Sequence, residues 1–226
     1  MNMFGYPLVN VLGACLIITS MLVVLARTAA NVKAGGRTPI AGMVHALVLV
    51  AVLASLGAVT GSVELFTWSA TAFATKVVLV PAILLFTLKK IGDDARTDLP
   101  PKLNPMKSVA LVAVEVFVCF VAVSGIDLPT AAEVRPTLAV SLAHFFIGLT
   151  CIVIQRSIFK QIFGYCLMEN GSHVTLALLA PQAPELVEIG VATDAIFAVI
   201  ILAVLVWRMA RYARTLDADD LCELKG

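Results

Sequence analysis

Charge is scarce in this chain. Asp, Glu, Lys and Arg make up 14% of its 226 residues, and the formal net charge is only +1. Nucleic acid is excluded as a partner, because no basic excess is present to neutralise phosphates. Acidic or basic tails, Gly/Ser linkers and low-complexity tracts are missing as well. Aromatics are few, and the two tryptophans, Trp68 and Trp207, read as anchors near helix ends at the membrane interface. Cysteine is sparse: Cys15, Cys119, Cys151, Cys166 and Cys222 form no CxxC pair, and four of them lie in apolar runs. They supply neither an iron–sulfur cluster nor a structural zinc site, and they read as ordinary membrane-core residues. No metal-based relay and no resident cofactor is expected.

What the chain has is apolar surface. Hydrophobic residues make up 60% of it, and its mean hydropathy is +0.99. A soluble domain of this size has no interior large enough to hide so much, so the solvent is lipid and the fold all-α and polytopic. A helix needs about 20 apolar residues to cross ~30 Å of hydrocarbon. Seven such stretches occur, at roughly 4–26, 40–60, 68–88, 108–126, 136–155, 161–180 and 186–207. The first does not read as a cleavable signal peptide: no basic residue precedes it, and its positive flank, Arg27, Lys33 and Arg37, follows it. Pro39, Pro105, Pro136 and Pro184 mark the places where helices start or stop.

Basic residues give the orientation. The loops after spans one, three and five and the C-terminal tail hold Arg27, Lys33, Arg37, Lys89, Lys90, Arg96, Lys102, Lys107, Arg156, Lys160, Arg208, Arg211, Arg214 and Lys225, which is 14 of the 16 Lys and Arg. By the positive-inside rule the N-terminus faces out and the C-terminus faces the cytoplasm. The longest loop, about residues 89–107, mixes five basic and three acidic residues with three prolines. It reads as a solvated connector or as a docking surface for a cytoplasmic partner.

The informative residues are ionisable side chains inside spans, each costing roughly 2.5–3.5 kcal/mol at a helix centre. They are Lys76, Glu115, Glu169 and Asp194, joined by His45, His144 and His173. Counted at 1.5 Å per residue, Lys76, Glu115, Glu169 and Asp194 lie about 12–14 Å from the nearer counted helix end, and His45 and His144 at similar depths. Groups from six helices therefore converge on the middle third of the bilayer. They have to face one another or water rather than lipid. Two readings stand: an ion-pair network that pins helices together, or a proton-conducting row.

Cys166, Glu169 and His173 share one face of the sixth span, and Asn170, Gly171 and Ser172 predict a loosely wound segment beside them. On the seventh span Val187, Val191, Asp194 and Ala198 share a face, whereas Glu188 points elsewhere at headgroup depth. Lys76 precedes Pro81 by five residues, which predicts a kink, and Thr71 and Thr75 are placed to offer it hydroxyls.

The run Gly148-Leu149-Thr150, with Val153, Ile154, Arg156, Gly164, Met168, Asn170 and Ser172, resembles subunit K of bacterial NADH:quinone oxidoreductase (complex I). The phrases Gly164–Gly171 and Val187–Asp194, and the whole length, look closer to the E component of hydrogenase-4-type complexes, the energy-converting group 4 hydrogenases and formate hydrogenlyases. The resemblance implies residues 1–135 as a four-helix membrane segment, 136–214 as the three-helix subunit K-like segment, and 215–226 as a short cytoplasmic tail. It implies a cofactor-free, non-catalytic subunit in a bacterial or archaeal cytoplasmic (inner) membrane. That subunit would link antiporter-like membrane subunits to the membrane anchor of a hydrogenase-like redox module. Of the two acids that matter in subunit K, one maps onto Asp194 and the other onto Cys166, with Glu169 one turn later. The proton- or sodium-translocating row is thus expected to involve Glu169, Asp194, Lys76 and Glu115, with His173 and His144 as weaker members.

The rivals are a cation/proton antiporter subunit without redox activity and a purely structural scaffold. A b-type cytochrome ligated through His45 and His144 would bury haem propionates at mid-bilayer. A retinal protein would need its lysine on the last helix.

Overall fold

The computed structural model describes residues 2–3, 6–26, 37–91, 99–127 and 134–221. Of the sequence expectations, Arg27, Lys33, Arg96, Cys222, Lys225 and the side chain of Arg37 lie outside the described residues. The order is α1 (Leu8–Leu25), α2 (Arg37–Thr60), α3 (Val63–Ala72), a π-helical segment (Phe73–Leu79), α4 (Val80–Ile91), α5 (Pro105–Val123), α6 (Arg135–Ile154), α7 (Ile158–Leu179) and α8 (Glu185–Tyr212), then a 3₁₀ turn at Asp219–Leu221. Since α3, the π segment and α4 run on without a break, the seven apolar stretches correspond to seven rods. Among the described residues the fold is helical, apart from a pair of two-residue strands, Asn2–Met3 with Tyr6–Pro7, and one isolated bridge.

Six of the seven rods are long and apolar enough to cross a bilayer. The other, α7, is 22 residues long, but Lys160, Gln161, Glu169, Asn170 and His173 make it more polar. Its burial explains this. The α7 helix packs against α1, α2, α6 and α8, so its polar side chains meet protein rather than lipid.

Local chemistry sets the helix ends. Between α2 and α3 the chain turns through Gly61 at φ 71°, a left-handed conformation that suits glycine. Ser62 then caps α3, its Oγ accepting from the Leu65 N–H at 3.3 Å and lying 2.6 Å from the Pro181 carbonyl. This cap starts the third rod at Val63, about a turn before the apolar run. Prolines open α5 and α6, where a missing N–H costs nothing.

The closest helix contact is between α6 and α7, and glycines make it possible. A Cβ on Gly148 would lie 2.3 Å from the Met168 backbone nitrogen, and one on Gly171 would lie 2.5 Å from that of Phe145. Such backbone contact between small residues is how helices gain packing where lipid offers no hydrophobic drive. It also explains why Asn170, Gly171 and Ser172 do not loosen the helix as expected: α7 is continuous through them, and packing overrides their weak propensity.

The kink predicted above Pro81 takes the form of a change in hydrogen-bond register. Proline has no N–H and crowds the carbonyl four residues back. Just before it, the Val80 N–H bonds the Thr75 carbonyl, five residues back. The result is a π-helical segment around Lys76, a local feature found often at functional sites. Thr71 and Thr75 do not solvate the lysine, because their hydroxyls donate to the Thr67 and Thr71 carbonyls of their own rod at 3.0 and 2.8 Å.

Buried apolar residues form two clusters. One gathers Val23, Val80, Leu84, Ile147, Leu167 and Val199; the other gathers Leu16, Leu49, Trp68, Ala72, Val140 and Val174. On four rods buried polar residues fall between the two clusters: Thr19 on α1, Lys76 on the third rod, His144 on α6, and Asn170 and His173 on α7. A polar layer thus divides an otherwise apolar core.

At the basic end of the bundle the tail returns to the α6–α7 turn. Ser157 bridges to Asp217, and the Ile158 and Ala218 N–H groups bond the Leu216 and Arg156 carbonyls at 3.0 and 2.9 Å. Arg156 pairs with Asp217 and Asp219, and Lys102 reaches Asp219 at 2.9 Å. The described part of the 89–107 connector is therefore tied down, and the Lys102 N–H also bonds the Ile154 carbonyl at 2.8 Å.

Candidate functional site

The lysine of the third rod is the centre of the polar layer. Its side chain is 5% exposed, and Nζ lies 2.6 and 2.7 Å from the two carboxylate oxygens of Glu169. Nζ also lies 2.8 Å from Oδ1 of Asn170 and 3.2 Å from Nδ1 of His173. The spacing of α7 makes this cluster possible: residues 169, 170 and 173 lie on neighbouring positions of one helix face and converge on a single ammonium. With Lys76 donating to Nδ1, the histidine carries its proton on Nε2. That nitrogen lies 2.9 Å from Oε2 of Glu188, an ion-pair distance at which the two are not aligned for a hydrogen bond. Four ionisable groups from three rods therefore form one continuous chain, Glu169–Lys76–His173–Glu188.

Glu188 corrects the sequence reading. Rather than pointing away from the charged face it is 2% exposed and aimed at His173. Trp68 is corrected as well: far from anchoring at an interface, it is fully buried, its ring 5.5 Å from that of His173. Trp207, by contrast, is half-buried near the basic end of α8.

On the other side of Glu169 lies a small cavity of about 40 Å³, lined by Lys76, Glu169, Asn170, His45, Tyr165 and apolar residues of α1, α2, α4, α7 and α8. At roughly 10–15 Å³ per water it has room for about three or four molecules. Pro39 and Gly42, near the start of α2, are among its walls, so it extends from the charged layer towards the end of the bundle that carries the basic loops.

Other candidates stand apart from this chain. His45 and His144 are buried and stacked, with ring centroids 4.5 Å apart and planes at 18°. His45 Nδ1 is 2.9 Å from the Thr19 hydroxyl, while both ring nitrogens of His144 lack a hydrogen-bond partner. Rings in face contact leave no gap for a haem between them. Glu115, half-buried on α5, accepts a short hydrogen bond from Thr150, and its other oxygen is buried without a partner. Asp194 lies on the exposed face of α8 with no hydrogen bond or ion pair among the described residues.

Glu188 and the ligand role of Asn170 are what the sequence alone missed. The single available signal for Glu188 was its identity, an acid within a span; its direction was invisible because α8 is apolar on every side.

These features define a class: a multi-pass, helical membrane subunit whose apolar core is crossed by a buried chain of titratable groups. Residues 136–226 match the family model NADH-ubiquinone/plastoquinone oxidoreductase chain 4L. The whole chain is 44% identical over 226 residues to "Hydrogenase-4 component E" of Escherichia coli K12 and to that of Shigella flexneri, covering 99% of this chain and 100% of each relative. The chain belongs to the hydrogenase-4 component E family. A shorter similarity, 33% identity over 85 residues, links 38% of it to 39% of an uncharacterized protein, Rv0085, of Mycobacterium tuberculosis. No solved structure matches it.

Proposed function

We propose that this chain is a cofactor-free membrane-arm subunit of a proton- or sodium-translocating, hydrogenase-like oxidoreductase, and that Glu169, Lys76, His173 and Glu188 carry protons through it. The observation behind this reading is the unbroken chain of contacts from the cavity beside Glu169 to Glu188, at 2.6, 3.2 and 2.9 Å. Protons reach Glu169 and Lys76 from water in the cavity. Lys76 donates to Nδ1 of His173, and the imidazole releases its Nε2 proton to Glu188. Returning to the starting tautomer requires ring rotation or a second proton. An immobile structural pair would need no cavity and no second acid beyond the histidine.

Asp194 fits the same function from outside. An exposed carboxylate at mid-bilayer depth is costly against lipid, so it faces a neighbouring membrane subunit and passes charge laterally, as the corresponding acid of subunit K would. Glu115, with His144 nearer the centre, extends the row on the α5–α6 side. The chain makes seven crossings of the cytoplasmic membrane, with its N-terminus outside and the tail in the cytoplasm. The three-helix part from residue 136 and the four helices before it meet at the polar layer. Antiporter-like subunits and the anchor of the redox module are its partners.

The test is the assembled complex in sealed membrane vesicles, with hydrogenase-driven electron flow and proton uptake read together. Glu188→Gln and Asp194→Asn should leave subunit assembly and electron transfer in place and lower proton uptake per electron by on the order of tenfold or more. Normal uptake in both variants would eliminate the relay, and loss of assembly in both would establish the scaffold instead.

A further inference from the structure

Three cations crowd a single indole at the basic end of the bundle. Lys90 Nζ lies 3.9 Å from the Trp207 ring centroid, and the guanidinium carbons of Arg211 and Arg208 lie 5.7 and 5.9 Å from it. Arg208 also lies 3.2 Å from the Tyr212 hydroxyl. None of the three makes an ion pair among the described residues. The described acids of the adjoining tail are engaged elsewhere: Asp217 and Asp219 by Arg156 and Lys102, and Asp220 by Thr215. Like charges held this close repel unless an anion shares them, and cation–π contact with the ring face offsets only part of that.

Directly below the cations a groove of about 190 Å³ runs between α4 and α8, lined by Ile83, Phe86, Thr87, Ile200, Ala203 and Val204. Ile83 and Ile200 each stand seven residues from the charged rim, about 10 Å deeper at the rise of a helix. An anion-binding rim over an apolar slot of that depth matches one chemistry, a phosphate ester carrying a hydrocarbon chain. An acidic peptide would satisfy the rim, but its backbone would find no hydrogen-bond partners in the slot. We propose that the α4–α8 groove binds an acidic glycerophospholipid, with the phosphate held by Lys90, Arg208 and Arg211 and an acyl chain laid along Ile83, Ile200 and Val204. Such a lipid would fix α8 against α4, and so the rod that carries Glu188 against the rod that carries Lys76.

The experiment is native mass spectrometry of the full-length chain in mild detergent, titrated with phosphatidylglycerol, with phosphatidylcholine of the same acyl chains, and with inorganic phosphate. Phosphatidylglycerol should be retained at least tenfold better than phosphatidylcholine. K90Q/R208Q/R211Q should weaken it roughly 100-fold, taking about one Lys or Arg contribution for each site lost. Val204→Phe, an exposed position that fills the slot and leaves the cations in place, should weaken it as well, and Lys90→Arg should keep it. Equal retention of the two lipids, indifference to both the triple variant and Val204→Phe, or complete displacement by phosphate would overturn the proposal. So would a partner polypeptide cross-linking at Trp207 in the intact complex.

Discussion

Replacing Lys76 by methionine and Glu169 by glutamine, separately and together, separates holding the fold from conducting through it. Their atoms are 2.6 Å apart and their side chains 5% and 12% exposed. At an effective dielectric of 20 the attraction at that distance is about 6 kcal/mol, and much of it offsets the cost of removing both charges from water. Taking away one partner leaves the other buried and uncompensated, at about 3–5 kcal/mol. Lys76→Met or Glu169→Gln alone should therefore lower the thermal or denaturant stability of the detergent-solubilised chain by that amount. The double variant has no stranded charge, and it should recover most of the loss. Proton uptake by the assembled complex should follow a different pattern: reduced in both single variants and still reduced in the double. Single variants within about 1 kcal/mol of the parent would refute the buried pair. A stable double variant that pumps normally would refute its role as a conductor.

Two further predictions follow from the packing and from the tail. Gly148→Ala and Gly171→Ala put a Cβ 2.3 and 2.5 Å from the facing backbone, and should destabilise the chain by about 1–3 kcal/mol or more. Gly190→Ala, which meets nothing within 4 Å, should not; equal melting temperatures for all three would contradict the α6–α7 contact. The Asp219 carboxyl is held below its ordinary range, first by the hydrogen bond from Lys102 and then by the charges of Lys102 and Arg156. A depressed carboxylate contributes stability that is present above its unfolded value of ~3.9 and lost as pH falls through the lower folded value. Tail docking should therefore be constant from neutrality down to about pH 4 and weaken below it, and high salt should loosen it at any pH. Limited proteolysis after Thr215, unchanged between neutral pH and pH 3, would dismiss this.

Glu169, within the part of the chain matched by the family model, meets Lys76, a residue of a rod that precedes that part. His173 then extends the contact to Glu188, and the π-helical segment before Pro81 sets the lysine that joins them.

Composition and spacing alone read the chain as a multi-pass membrane protein, helical in seven apolar stretches, with Lys76, Glu115, Glu169, His173 and Asp194 inside those stretches. Each of these follows from counts along one dimension, because burial in hydrocarbon depends on length and polarity and hardly on neighbours. Which side of a helix a residue faces was decided only in three dimensions. In water an amphipathic stripe reveals the inner face. In a membrane the core and the surroundings are equally apolar, so α8 gives no sign that Glu188 turns in and Asp194 turns out. The same ambiguity hid the burial of Trp68 and the partner of Lys76. Packing of the glycine faces of α6 and α7, and of α8 against α4, settled each rotation.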